Sequence, residues 1–277
     1  MKTLSMSMRT VFALLLLAIT TVSHADMMIS PVRILMDDSN KTTSMILRNT
    51  SSGSRTYRLS LEDKRAKENG GYDDINEGEN WPSAKDMVRL SPRQITVGPG
   101  ENQTIRFSWR PPSDIPTGEY RSHLKMQVVP EISEPSSTIG TEAGANGIGI
   151  KIAMQMSFSI PIVVRHDTDV PQVELENVQA VAVEDGKSMG LQITFNHNGM
   201  ASSFGNVVVE MQRDDKSPVE IIGKHKELSI YPELDQRTIV VALRDKSIPA
   251  GAIVRVAYEG INEYDEILWT EKVFRTQ

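Results

Sequence analysis

Two β-sandwich domains in tandem, an all-β chain, is the fold class this sequence predicts, and three observations predict it. Short runs that alternate apolar with polar side chains are broken by Gly, Pro, Asn and Asp, as half-buried strands joined by turns would be. No stretch keeps a sustained 3.6-residue apolar period. A polar break at Arg165-His166-Asp167-Thr168-Asp169, with Pro171 behind it, divides a length that suits two domains of ordinary size.

At the N-terminus, Lys2 and Arg9 precede the apolar run VFALLLLAI, and Ser23-His24-Ala25 offers small residues for cleavage. Residues 1–25 therefore read as a signal peptide cut after Ala25, its apolar core too short for a membrane span. Its removal leaves 28 basic against 36 acidic residues, a net charge of about −8. Such a surface argues against nucleic acid and anionic membrane as partners. No later run approaches the roughly 20 apolar residues of a spanning helix, so no direct membrane insertion is expected. The chain has no cysteine, so an exported protein of this kind must rely on its cores rather than on disulfides. The periplasm is the simplest compartment for it.

The first domain is expected over 26–165. MMISPVRILM reads as its first strand, carrying Arg33 among apolar neighbours; SMILRN and Tyr57 to Leu61 follow, separated by turns at Asp37 to Lys41 and Asn49 to Gly53. Lys64 to Pro82 is polar and reads as a loop. MVRLSPRQITV, a turn at Gly98-Pro99-Gly100, and NQTIRFSW come next, then three prolines before GEYRSHLKMQVV. Pro130 to Gly147 is a loop of low hydrophobicity. Residues 166–171 form the linker, and 172–277 repeat the alternating pattern in seven runs from VELENVQAVAV to EILWTEKVF.

One run exceeds the rest. From Ile148 to Val164 every even position is large and apolar, including Ile150, Ile152, Met154, Met156 and Phe158, while odd positions are small or polar until Val163. At about 3.3 Å per residue this strand would span roughly 50 Å, well past an ordinary strand. It either crosses a large sandwich and bends between sheets, or it overhangs as an edge for another protein's sheet.

Chemistry is hard to find. His123, His166, His197 and His225 lie at no metal-ligand spacing and read as scattered surface residues; no cofactor is expected. Gly186-Lys187-Ser188 lacks the glycine that a phosphate-binding loop needs five residues earlier, where Val181 stands. Ser122 and Lys125 spell S-x-x-K, but on a strand an offset of three puts them on opposite faces. Asp37-Asp38, Asp73-Asp74 and Asp214-Asp215 read as solvated turn acids. The chain is not expected to be an enzyme.

SPVRI, LSPRQITVGPGENQTIRF, GEYRSHL and IKIAMQMSFSIPIVV, in that order and spacing, resemble the PapD-type periplasmic chaperones of the chaperone-usher pilus pathway, and GEYRSHL resembles its archaic branch. The resemblance implies two immunoglobulin-like sandwiches set at an angle around a cleft. It implies pilus subunits and an outer-membrane usher as partners, self-association as a means of capping the exposed strand, and donor-strand complementation as the mechanism. In that mechanism strand 148–164 lends Ile150, Ile152, Met154, Met156 and Phe158 to a subunit lacking its last strand. It also implies a basic pair that anchors the subunit's terminal carboxylate. Arg33 matches the first member; Ser159 stands where the lysine should be, and Lys151 is the strand's only lysine, near the opposite end. Competing readings are a secreted or surface structural protein such as a pilin or adhesin, and a carbohydrate-acting enzyme. Replacing Arg33 with Ala is expected to weaken subunit capture with little effect on thermal stability.

Overall fold

Pro31 divides the N-terminal apolar run. The computed structural model, which describes residues 27–76, 78–129, 156–183, 188–244 and 247–276, has β1 (Met27–Ser30) and β2 (Ile34–Asp37) in different sheets, with Arg33 in the connection. The single first strand expected over this run is thus corrected to two, because the chain crosses between layers where Pro31 has no N–H to give a ladder.

β3 (Thr42–Asn49), β4 (Arg55–Glu62), β5 (Lys64–Ala66), β6 (Tyr72–Asp74), β7 (Val88–Ser91), β8 (Gln94–Val97), β9 (Asn102–Trp109), β10 (Gly118–Val129) and β11 (Ser157–His166) complete the first sandwich. One sheet has the order β1-β3-β9-β7 and the other β2-β11-β10-β4-β8. Their inner faces carry the alternating residues, among them Met45, Leu47, Ile105, Phe107, Leu124 and Ile162, each at most 1% exposed. Burial of such side chains, at about 1.5–3 kcal/mol each, is what holds a cysteine-free domain together.

β5 and β6 form a hairpin inside the stretch expected to be a loop. Gly70 and Gly71, both at positive φ, make its turn. The hairpin has no apolar alternation to betray it, because it is held from outside: Thr238 N–H donates to Glu68 O at 2.9 Å, and Ala66 N–H to Glu233 at 3.0 Å.

The second sandwich contains β12 (Gln172–Val183), β13 (Ser188–Asn198), β14 (Ser203–Gln212), β15 (Val219–Ile230), β16 (Gln236–Ala242), β17 (Ile253–Gly260) and β18 (Leu268–Arg275). Its sheets are β12-β13-β16 and β15-β14-β17-β18. Ile193, Phe195, Val207, Val209, Val256 and Tyr258 pack between them, none detectably exposed. Among the described residues no helix is long and apolar enough to cross a membrane.

Candidate functional site

The two strands β10 and β11 position everything of functional interest. They pair antiparallel from Gly118↔His166 to Gln127↔Ser157. Beyond that register Val128 N–H donates to Met156 O at 3.1 Å. Antiparallel alternation therefore turns the backbone groups of even-numbered β11 residues toward β10 and those of odd-numbered residues away from it.

On the far side β2 covers only Ile162 to Arg165, in parallel. The N–H and C=O of Ser157 and Ser159 face a flank with no described strand beside it. Pro161 fits at the boundary of this flank because its nitrogen lies ahead of the first pair with β2, where no N–H is needed. Side chains follow the same gradient. Ile162 and Ile160 are buried, Phe158 packs half-buried against the core, and Met156 is 59% exposed. The apolar face leaves the core at the N-terminal end of β11. The facing sheet ends in β1, whose Met27 and Ile29 are also half-buried against that core. Ile150, Ile152, Met154 and Lys151 lie outside the described residues.

The odd face of β10 and β11 turns toward the second sandwich, and it is charged. Glu119, Arg121 and His123 of β10 are all buried there. Two loops of the second sandwich meet them through Ser202, before β14, and Glu233, between β15 and β16, and the 3-10 turn Asn262–Tyr264 brings Glu263 to the same junction. Arg121 grips Glu233 through both Nη1 and Nη2, gives Nη2 to Lys64 O at 3.2 Å, and lies 3.7 Å above the Tyr231 ring. Arg165 pairs with Glu119 at 3.0 Å and donates to Ser202 O at 2.8 Å. Glu119 in turn receives the N–H and hydroxyl of Ser202, each at 2.8 Å.

Arg33 belongs to the same junction. It is 7% exposed, pairs with Glu263, donates to Ser202 Oγ at 3.0 Å and lies 4.9 Å from the Phe204 ring. That place argues against the expected indifference to thermal stability, because removing Arg33 leaves Glu263 without its cation in the interface. The sequence reading missed Glu119, Glu233, Glu263 and Ser202. No local signal marked them, because Glu119, Arg121 and His123 occupy the alternate positions of a strand whose other face is core, the same pattern that a solvent-facing strand shows.

The histidines need correction too. His123 is 1% exposed and His197 9%, so neither is a surface residue. Neither ring nitrogen of His123 has a hydrogen-bond partner, and Tyr72 stands edge-on to the ring at 4.6 Å. Burial first, then the charges of Arg121 and Lys64, push its pKa down to about 3. It stays neutral at any ordinary pH. Ser122 and Lys125 do point apart: Ser122 Oγ donates to Asp63 at 2.5 Å, while Lys125 pairs with Glu62 at 3.1 Å. Asp73 and Asp74 lie on β6 rather than in a turn, paired with Lys67 and Lys64. Among the described residues no group of three or more His, Asp or Glu could hold a metal ion.

No family model and no curated protein matches the chain. Several solved structures are similar to it. The YadV chaperone shares 14% identity over 91% of this chain and 100% of its own, with a TM-score of 0.44. The Pseudomonas aeruginosa CupB2 chaperone shares 14% over 90% and 99%, also at 0.44. A CsuC-CsuE chaperone-tip adhesion subunit pre-assembly complex from archaic chaperone-usher Csu pili of Acinetobacter baumannii matches at 13% identity over 91% and 98%, with a TM-score of 0.43.

Proposed function

We propose that this chain is a non-enzymatic periplasmic chaperone that holds pilus subunits by donor-strand complementation and passes them to an outer-membrane usher. The observation that carries the reading is the open flank of β11. There, unpaired backbone groups at Ser157 and Ser159 adjoin an apolar face that emerges from the core through Phe158 and Met156. An incoming sheet edge would satisfy those groups and bury those side chains together. By sequence the apolar face continues into Met154, Ile152 and Ile150. Four or five inserted side chains at about 1.5–3 kcal/mol each would supply roughly 6–15 kcal/mol before ordering costs.

Anchoring of a subunit carboxylate at Arg33 takes a particular form in this proposal. Glu263 already occupies the guanidinium, so the incoming carboxylate displaces Glu263 rather than filling an empty place. Lys151 is the proposed second anchor. An export signal over residues 1–25 belongs to the same reading.

The test is co-expression of a pilin-like subunit with the wild-type chain, with Ile152→Asp and with Met154→Asp. The subunit should accumulate and co-purify with the wild type only, while each free variant keeps its melting temperature. Equal accumulation with and without the chain would sink the proposal.

A further inference from the structure

Arginines and glutamates close the domain junction in pairs, with one exception. Arg33, Arg121 and Arg165 each have a glutamate. Arg237, on β16, reaches back across the junction to the β5–β6 turn and finds only carbonyls there. Its Nη1 donates to Lys67 O at 2.8 Å and Glu68 O at 3.0 Å. Among the described residues no carboxylate pairs with it, Nη2 donates to no protein atom, and Nε is buried without a partner. Gly70 makes room for this group: a Cβ there would stand 3.3 Å from Nη2.

Nε and Nη2 form one edge of the guanidinium, the edge that binds a carboxylate or phosphate through two parallel hydrogen bonds. A buried donor left unmatched is costly, and a suitable acceptor would relieve that cost. Beside this arginine is a cavity of about 190 Å³ lined also by Lys67, Tyr72, His225 and Tyr231. The two phenol oxygens lie 3.3 Å apart. Lys67 is engaged by Asp73, and the one carboxylate lining the cavity, Glu227, is exposed. Burial lowers the pKa of Arg237, and burial with the Arg237 charge lowers that of His225, as expected where positive charge lacks a counter-ion.

We propose that this cavity is a site for one small oxyanion, a carboxylate or a phosphate, received by the free edge of Arg237 and by the hydroxyls of Tyr72 and Tyr231. The site ties the β5–β6 hairpin to the second sandwich through the ligand as well as through protein bonds. It is separate from the open flank of β11 and does not depend on the chaperone reading.

The experiment follows the His225 ring by NMR while acetate or inorganic phosphate replaces chloride at constant ionic strength. One of the two anions, or both, should shift the His225 signals saturably and raise the pH at which the ring titrates; which anion does so distinguishes carboxylate from phosphate. Arg237→Gln should abolish the response. Because that variant also loses the ties to Lys67 and Glu68, Tyr72→Phe provides a second arm that keeps them and should weaken binding several-fold. Glu227→Gln, which removes a like charge, should tighten it several-fold. His225 signals that ignore both anions, or that move equally in wild type and Arg237→Gln, would overturn the site.

Discussion

Arg33→Ala is the substitution for which the structure reverses the expectation most sharply. The side chain is 5% exposed and its partner Glu263 24%, so the pair is largely withdrawn from water. Removing one member of a fully buried pair costs about 3–5 kcal/mol, chiefly because the other charge is stranded. Glu263 keeps some hydration, which lowers the figure to about 2–3 kcal/mol, with the lost contact to the Phe204 ring included. At about 2–4 °C per kcal/mol for a protein of this size, melting should fall by roughly 5–10 °C. Differential scanning calorimetry on wild type, Arg33→Ala, Glu263→Ala and the double variant would measure it. The double variant should lose less than the sum of the singles, with a coupling of about 1–3 kcal/mol. An Arg33→Ala protein that melts within about one degree of wild type would show that the pair does not hold the junction.

Acid should expose His123. Its native pKa of about 3 lies below the ordinary 6.5 of an unfolded histidine. Above pH 6.5 both states are neutral and it contributes nothing. As pH falls through 6.5 toward 3 the unfolded state alone takes the proton, so stability declines over that window, by an amount on the order of 5 kcal/mol at its limit. Urea titrations at pH 7 and pH 4 should show His123→Phe losing several kcal/mol less than wild type between them, and an equal loss would refute the assignment. Met156→Asp changes an exposed side chain and should leave urea stability within about 0.5 kcal/mol, whereas Ile162→Asp, in the core, should prevent folding; similar behaviour of the two would contradict the gradient along β11. Glu233→Ala releases both Arg121 and the Ala66 N–H, so hydrogen exchange should quicken across Lys64 to Asp74 and not in β13. Unchanged exchange in the hairpin would mean that its turn alone sustains it.

The fold was legible where burial and period agree. β3 and β9 each bury one face of a strand, so a two-residue repeat marks them directly, and β11 announces its core end through Ile160, Ile162 and Val164. What the sequence hid has a single physical character: groups held by partners remote in the chain. Arg33 and Glu263 are 230 residues apart, Arg121 and Glu233 112, and no local pattern links either pair. The β5–β6 hairpin looks like a loop because its bonds come from Thr238, Arg237 and Glu233 rather than from a hydrophobic face of its own. His123 looks like a surface residue because its neighbours on β10, Arg121 and Lys125, are charged, and it takes the covering hairpin and Tyr72 to seal it. These concealed parts gather beside the outer face of the five-stranded sheet, and together they tie the two sandwiches across the junction. If the open flank of β11 pairs with a foreign strand, as proposed, these ties would hold that edge in one orientation while the partner is threaded along it. Loosening the junction through Glu233→Ala should therefore slow subunit capture even though every side chain on the flank is intact, and capture at the wild-type rate by a variant whose hairpin exchanges freely would separate the two features.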